Sequence, residues 1–464
     1  MKIDLTSVLP RRTKKKLECS WPKLLDIRKY KIPTTIEELD FDFRELKING
    51  VNHYFSQATK REIKDFSSII FDHQSVNSLF CYDTIYKSVV SEIGYSLGSE
   101  DKKSFDDALD SISSKINIKL DQFQFYFPLF GLRLKDIIKV SIGEAYIINF
   151  DENFSKKILE RNGYIHSDQL WTKQVEDSFN KHFIKKSVIV IPVNGDRIKA
   201  EEIAREKAKL ITNYLRFVIC LLAHDRIDEN LIKISIDLEW MNMNSEFFYE
   251  AANKLSFAND PGPRPLQAFE FSQARLEKLK EKAFFDDFCR FMLDDQKSEL
   301  EKCIITSIHW IGEAQNDINR ESSYLKYWIA LESIFTQRRK SESPRITHGL
   351  CQGVSVLLVY CGYDFGEVLD RTDLYKKTSF LYELRSDIVH SGAHKRVSYN
   401  DISNICKYSS WVVLCLLWYR DYLGVVSMNQ METVINILAE YEDLPATDEI
   451  KMARINRLFW HRKL

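Results

Sequence analysis

Three prolines and a glycine fall within six residues at Asp260-Pro-Gly-Pro-Arg-Pro265, and they divide the chain into halves of different periodicity. Proline fixes φ and lacks an N–H donor, so this stretch breaks any helix and does not fit a central strand. Before it, strand and helix patterns alternate. Phe41–Phe55 carries an Asn49-Gly50 pair between short alternating runs, a hairpin signal. Asp121–Phe150 is rich in Phe, Tyr, Ile and Val and punctuated by Pro128, Gly131 and Gly143, so two or three strands are expected there. Ser187–Val193 reads as a short buried strand. It runs into Asn194-Gly195-Asp196, with Asp196 as the N-cap of a helix over roughly Ile198–Ala223. Ala200, Ile203, Ala204, Ala208, Ile211 and Leu215 recur along that helix at helical spacing. Leu231–Trp240 and Phe247–Ala258 are two further strand candidates.

Beyond the breaker the spacing predicts helices over about Ser272–Leu293, Ser298–Gln315, Ser322–Gln337, Ile346–Cys361, Leu374–His390, Ser398–Tyr422 and Met428–Tyr441. No strand signal of comparable strength occurs in this half. The expected fold class is α+β. A mixed region over residues 1–260, with room for two subdomains, precedes an all-α region over 266–464 that has a bundle at about 298–422.

Charge bounds the function. The 464 residues hold 66 Lys+Arg against 67 Asp+Glu, which excludes a protein that coats nucleic acid by bulk attraction. The balance is locally uneven: Arg371–Arg396 has six basic residues against three acidic ones. Arg11–Lys16 reads as a solvated basic arm. Nine Cys, with no CxxC, indicate neither a disulfide framework nor a zinc ribbon. No phosphate-binding glycine loop, HExxH, GxSxG or EF-hand pattern occurs, so no metal or cofactor is expected. The N-terminus has basic residues but no apolar run after them, unlike a signal peptide. The longest apolar runs, Val218–Ala223 and Trp411–Tyr419, fall short of the ~18–20 residues that span a bilayer. A soluble, cytoplasmic protein without membrane contact is the expectation.

The segment with chemistry in it is Tyr382-Glu-Leu-Arg-Ser-Asp-Ile-Val-His-Ser-Gly392. Arg385 offers a permanent forked donor set that matches phosphate oxygens. His390 can exchange a proton near neutral pH, as base toward a ribose 2′-hydroxyl or acid toward the leaving oxygen. Two other Arg–His pairs have similar spacing, Arg161/His166 and Arg454/His461. The first spans an expected turn at Gly163 and the second lies in a basic tail. Five residues on an ideal helix turn through about 140°, so Arg385 and His390 need a distorted helix end or a second chain to meet one phosphate. Upstream, Trp328, Leu331, Ile334 and Phe335 form an apolar stripe that Glu332 interrupts. That carboxylate either lies at the solvent edge, the favoured reading, or is buried with a partner.

Ser307–Phe335, with its tryptophan-centred helix ending in ALESIF, followed some fifty residues on by LYELRSDIVHSG, resembles the Apea-like branch of the HEPN superfamily. PLFGLRL at Pro128–Leu134 and Val193–Phe217 are similar to the region that often precedes this domain. The resemblance implies a dimerising bundle of four to five helices. It also implies metal-independent cleavage of RNA, with Arg385 and His390 at the two defining motif positions of a site built by both protomers. Active members commonly carry Asn, Asp or His after the motif Arg, where this chain has Ser386, with Asp387 one position on. Ser386, Asp387 and Glu332 are supporting candidates, and Lys376, Lys377, Lys395 and Arg396 are candidates for the RNA path. Relatives of this kind often act in antiviral defence, abortive infection or as toxins. A nuclease of this kind has to be restrained until it is needed, so residues 1–260 are expected to sense a trigger and gate the bundle. The rival expectation is a HEPN module that binds RNA or dimerises without cutting, coupled to a ligand- or protein-sensing N-terminal region.

Overall fold

The computed structural model describes residues 2–32, 45–100, 104–163, 170–222, 244–251, 254–261, 269–283, 285–294, 296–317, 319–335, 343–360, 371–391 and 397–440. The first elements are helices α1 (Leu5–Val8) and α2 (Arg11–Leu24), then strands β1 (Tyr30–Lys31), β2 (Glu45–Ile48) and β3 (Val51–Phe55). Helices α3 (Gln57–Phe71), α4 (Gln74–Asn77), α5 (Tyr82–Gly98) and α6 (Phe105–Asn117) follow. Then come β4 (Asp121–Leu129), β5 (Leu132–Lys135), β6 (Lys139–Ile142), β7 (Ala145–Phe150), α7 (Glu152–Arg161), α8 (Leu170–His182), β8 (Lys186–Gly195) and α9 (Arg197–Leu222). Strands β9 (Asn244–Ala251), β10 (Lys254–Pro261) and β11 (Phe269–Ser272) lead into helices α10 (Gln273–Ala283) and α11 (Phe285–Met292). The chain continues as α12 (Glu299–Asn316), α13 (Arg320–Phe335), α14 (Ser343–Tyr360), α15 (Arg371–Ser391), α16 (Tyr399–Leu423) and α17 (Met428–Glu440). The α+β expectation holds: antiparallel sheets in the first half, helices in the second.

The hairpin forms as its residues dictate. Ile48 faces Val51 across an antiparallel pair, and Asn49 and Gly50 take φ of 50° and 81°, the double positive φ of the two-residue turn that suits strand twist. Asp121–Phe150 makes four strands, one more than expected, because Gly131 and Gly143, both at positive φ, each turn the chain. β4, β8, β7 and β6 join β9 and β10 in a six-stranded sheet of order β10-β9-β4-β8-β7-β6. The candidate strand Phe247–Ala258 falls on two strands, β9 and β10, which neighbour each other in the sheet. Leu231–Trp240 and Gly262–Pro265 lie outside the described residues.

Two other readings are corrected. Arg11–Lys16 is not a free arm but the opening of α2, whose Leu17, Trp21 and Leu24 are buried while its basic residues line the wetter face. The helical half does contain a strand. β11 pairs in parallel with β5, Phe269 opposite Leu132, and four residues are too few to show a period-two pattern in sequence. The single helix expected over Ser272–Leu293 is two, α10 and α11. Asp286 and Asp287 favour a new start by sitting in the first turn of α11, and Phe288, Cys289 and Met292 bury its other face.

The chain forms two units. One comprises Met1–Phe125, Pro192–Arg205 and Tyr249–Ser256; the other comprises Tyr126–Ile191, Glu206–Phe248 and Phe257–Leu464. The first is built on a core of Leu5, Leu17, Trp21, Ile63, Phe66, Ile93, Leu109 and Ile112. In the second, α12, α13, α14 and α16 bury Ile304, Ile308, Tyr324, Trp328, Leu357 and Val412. Glu301 ties this bundle together. It caps its own helix by accepting from the Ser298 N–H at 2.7 Å, and its other oxygen accepts from Arg420 of α16 at 2.9 and 2.7 Å. No described helix is long and apolar enough to cross a membrane; Trp411–Tyr419 is bundle core instead.

Candidate functional site

α15 carries the Arg–His segment and has two unlike sides. Leu374, Thr378, Leu381 and Arg385 recur at three or four residues and form one stripe, its first three members buried. Lys376, Phe380, Glu383, Asp387 and His390 form the opposite stripe. Phe380 is 65% exposed and His390, in the last turn, is exposed. Arg385 and His390 therefore point away from each other, as the five-residue spacing demands, and one chain alone does not aim both at one phosphate.

Arg385 is held by α13. Its guanidinium lies 2.8 Å from Oε1 of Glu332 and donates to Oε2 at 3.2 Å, with about a fifth of each side chain exposed. Of the two readings of Glu332, the structure has the one with a partner: Tyr324, Trp328 and Glu332 recur every four residues and face α15. Burial pushes the Glu332 carboxyl above its ordinary value, and the Arg385 charge and hydrogen bond pull part of that rise back.

Aromatic residues brace the pair. The Tyr382 ring lies 5.5 Å from the Arg385 guanidinium carbon and meets Trp328 edge-on at 5.2 Å. Tyr324 donates its hydroxyl to the Leu381 carbonyl at 2.6 Å, fixing the rotation of α15 against α13. Tyr324 and Tyr382 were not among the sequence candidates; the four-residue recurrence ending at Glu332 is the signal that finds Tyr324.

The remaining candidates are spread out. Ser386 and Asp387 are half-buried on α15, and Lys376 and Lys377 are exposed about two turns before Arg385. Lys395 and Arg396 lie outside the described residues, as do His166, Arg454 and His461. Arg161 donates to the Tyr126 hydroxyl at 2.8 Å at the end of α7. Among the described residues, no group of three or more His, Cys, Asp or Glu is placed to hold a metal ion. No protein-family model matches the chain, and no curated protein or solved structure is significantly similar to it.

Proposed function

We propose that the chain is a metal-independent endoribonuclease of the HEPN type, acting as a dimer in cellular defence. The observation that carries this reading is the Arg385–Glu332 pair, which holds a guanidinium one helical turn and a half before an exposed imidazole. A held guanidinium loses less freedom when it meets a developing phosphorane charge than a waving one does. The 140° divergence requires that Arg385 of one chain and His390 of the other share a scissile phosphate across two facing α15 helices.

His390 takes the 2′-hydroxyl proton, the 2′-oxygen bonds to phosphorus as the phosphorus–5′-oxygen bond breaks, and the leaving 5′-oxygen takes a proton from water. The products are a 2′,3′-cyclic phosphate and a 5′-hydroxyl end. Arg385 neutralises the non-bridging oxygens. Lys376, Lys377, Lys395 and Arg396 attract the backbone, and a trigger acting on the N-terminal region governs the activity.

The test is total RNA incubated with purified protein in EDTA. Wild type cleaves; Arg385→Ala and His390→Ala each lose about 100-fold or more in rate. Equal cleavage by all three overturns the assignment. RNA binding without cleavage, unchanged by His390→Ala, establishes a binding module instead.

A further inference from the structure

A cleft of about 560 Å³ opens in the first unit, between α5, α6 and the first residues of α9. Its size is that of a small-molecule site. Thr84, Lys87, Ser88 and Ser91 stand on one face of α5 at helical spacing, while Lys115 comes from the last turn of α6 and Ile118 and Lys119 from the turn that follows it. α9 contributes Arg197 and Ile198.

Four basic side chains, Lys87, Lys115, Lys119 and Arg197, line the cleft against two acidic ones, Asp83 and Asp196. Asp196 is buried and fully engaged: one carboxylate oxygen accepts from the Cys81 N–H at 2.7 Å and the other from the Lys199 N–H at 2.8 Å. Asp83 pairs with Lys87 at 2.6 Å on the surface, a contact that water and salt weaken. Behind the wall, fully buried Glu92 holds Lys115 at 2.7 Å and accepts from the Ser111 hydroxyl, which fixes that ammonium at the cleft. Lys119 is exposed, and Arg197 donates to the Tyr249 hydroxyl at 3.1 Å and lies 3.8 Å from the Glu201 carboxylate on the exposed side of α9. Four cationic side chains thus stand around one concavity. Ser91 adds an exposed hydroxyl, whereas the Ser88 hydroxyl is spent on the Thr84 carbonyl at 2.8 Å.

Apolar surface accompanies the charge. Ile118 is 79% and Ile198 50% exposed, so aliphatic surface lies open beside the basic side chains. Tyr95 continues the α5 face and is 54% exposed, with the Lys115 ammonium 5.9 Å from its ring. Fixed cations beside uncovered aliphatic and aromatic surface match a molecule with a phosphate at one end and a planar ring at the other. We propose that this cleft binds a nucleotide. The phosphate lies toward Lys115, Lys119 and Arg197, and the base lies on Ile118 and Ile198. This goes beyond the ribonuclease reading and does not depend on it, because a nucleoside monophosphate has no phosphodiester to cut.

The test is calorimetric titration of the full chain with each of the four ribonucleoside 5′-monophosphates, the matching nucleosides and inorganic phosphate. At least one monophosphate binds more tightly than about 1 mM, with its nucleoside and inorganic phosphate each about tenfold weaker or more. Lys119→Glu, in the exposed turn after α6, and Ser91→Glu, at an exposed position of α5, leave folding intact and weaken that binding about tenfold or more. Lys157→Glu, on exposed α7 surface, does not. No binding by any monophosphate overturns the proposal. So does a nucleoside or bare phosphate that binds as tightly as the nucleotide, or equal affinity in the two lining variants.

Discussion

Glu332 is where a single atom's surroundings decide a reading that composition leaves open. In sequence it is a carboxylate beside an apolar stripe; in the fold it lies one turn beyond Trp328, on the side that meets α15, and finds Arg385 there. Glu332→Ala leaves a largely covered guanidinium without its anion and costs about 1–3 kcal/mol in urea unfolding. Glu332→Gln keeps a hydrogen-bond acceptor and costs less. The two variants also separate by pH. Because burial raises this carboxyl in the folded state, folded protein holds the proton more tightly than unfolded chain does. The stability this group contributes is complete below the unfolded value of 4.5 and is lost as pH rises through the folded value. The stability difference between wild type and Glu332→Gln therefore shifts against wild type as pH climbs through that window, and urea midpoints taken along it read the shift directly. Arg385 and His390 were legible as residue types suited to phosphate chemistry. The partner and the brace were not, because both depend on which sides of two helices meet.

At the level of elements, the helices of the second half were readable almost to their ends, since amphipathic spacing over fifteen or more residues is hard to mistake. The short pieces were harder to see. β11 and the break between α10 and α11 arise from tertiary pairing and first-turn charge, which a window average smooths away. Gly312 shows what a helix pattern hides. A Cβ there would lie 2.5 Å from the Asn213 side chain and 2.6 Å from its Cα, so α12 and α9 approach nearly backbone to backbone. Around that contact Asn213 donates to Nδ1 of His309 at 3.0 Å and to Glu313 at 3.2 Å, while Arg216 donates to Oδ1 of the Asn213 side chain at 2.7 Å. Gly312→Ala gains up to about 1 kcal/mol of helix propensity and loses more to overpacking. The net effect is a destabilisation of about 1–2 kcal/mol, seen as a lower Tm, although alanine is the better helix former.

For the molecule as a whole, the α+β class followed from the change of period at the proline cluster, but the division into units does not run along the chain. β4, β8 and α9 each pass from one unit to the other. The helical half also leans on residues before the prolines: Tyr214 stacks on Phe288 at 4.1 Å, Asn213 meets His309, and β11 needs β5. A fragment of residues 266–464 lacks all of these and leaves Phe285 and Phe288 uncovered. It is expected to aggregate and to show no cooperative transition in a thermal melt followed by circular dichroism, whereas the full chain shows one. A melt as sharp as that of the full chain would contradict this. The interleaving also bears on inheritance. A gene encoding two units in series can lose or trade one of them by a single recombination event. Here any one breakpoint between codons 126 and 248 separates residues belonging to both units, so the pair is passed on together or broken together.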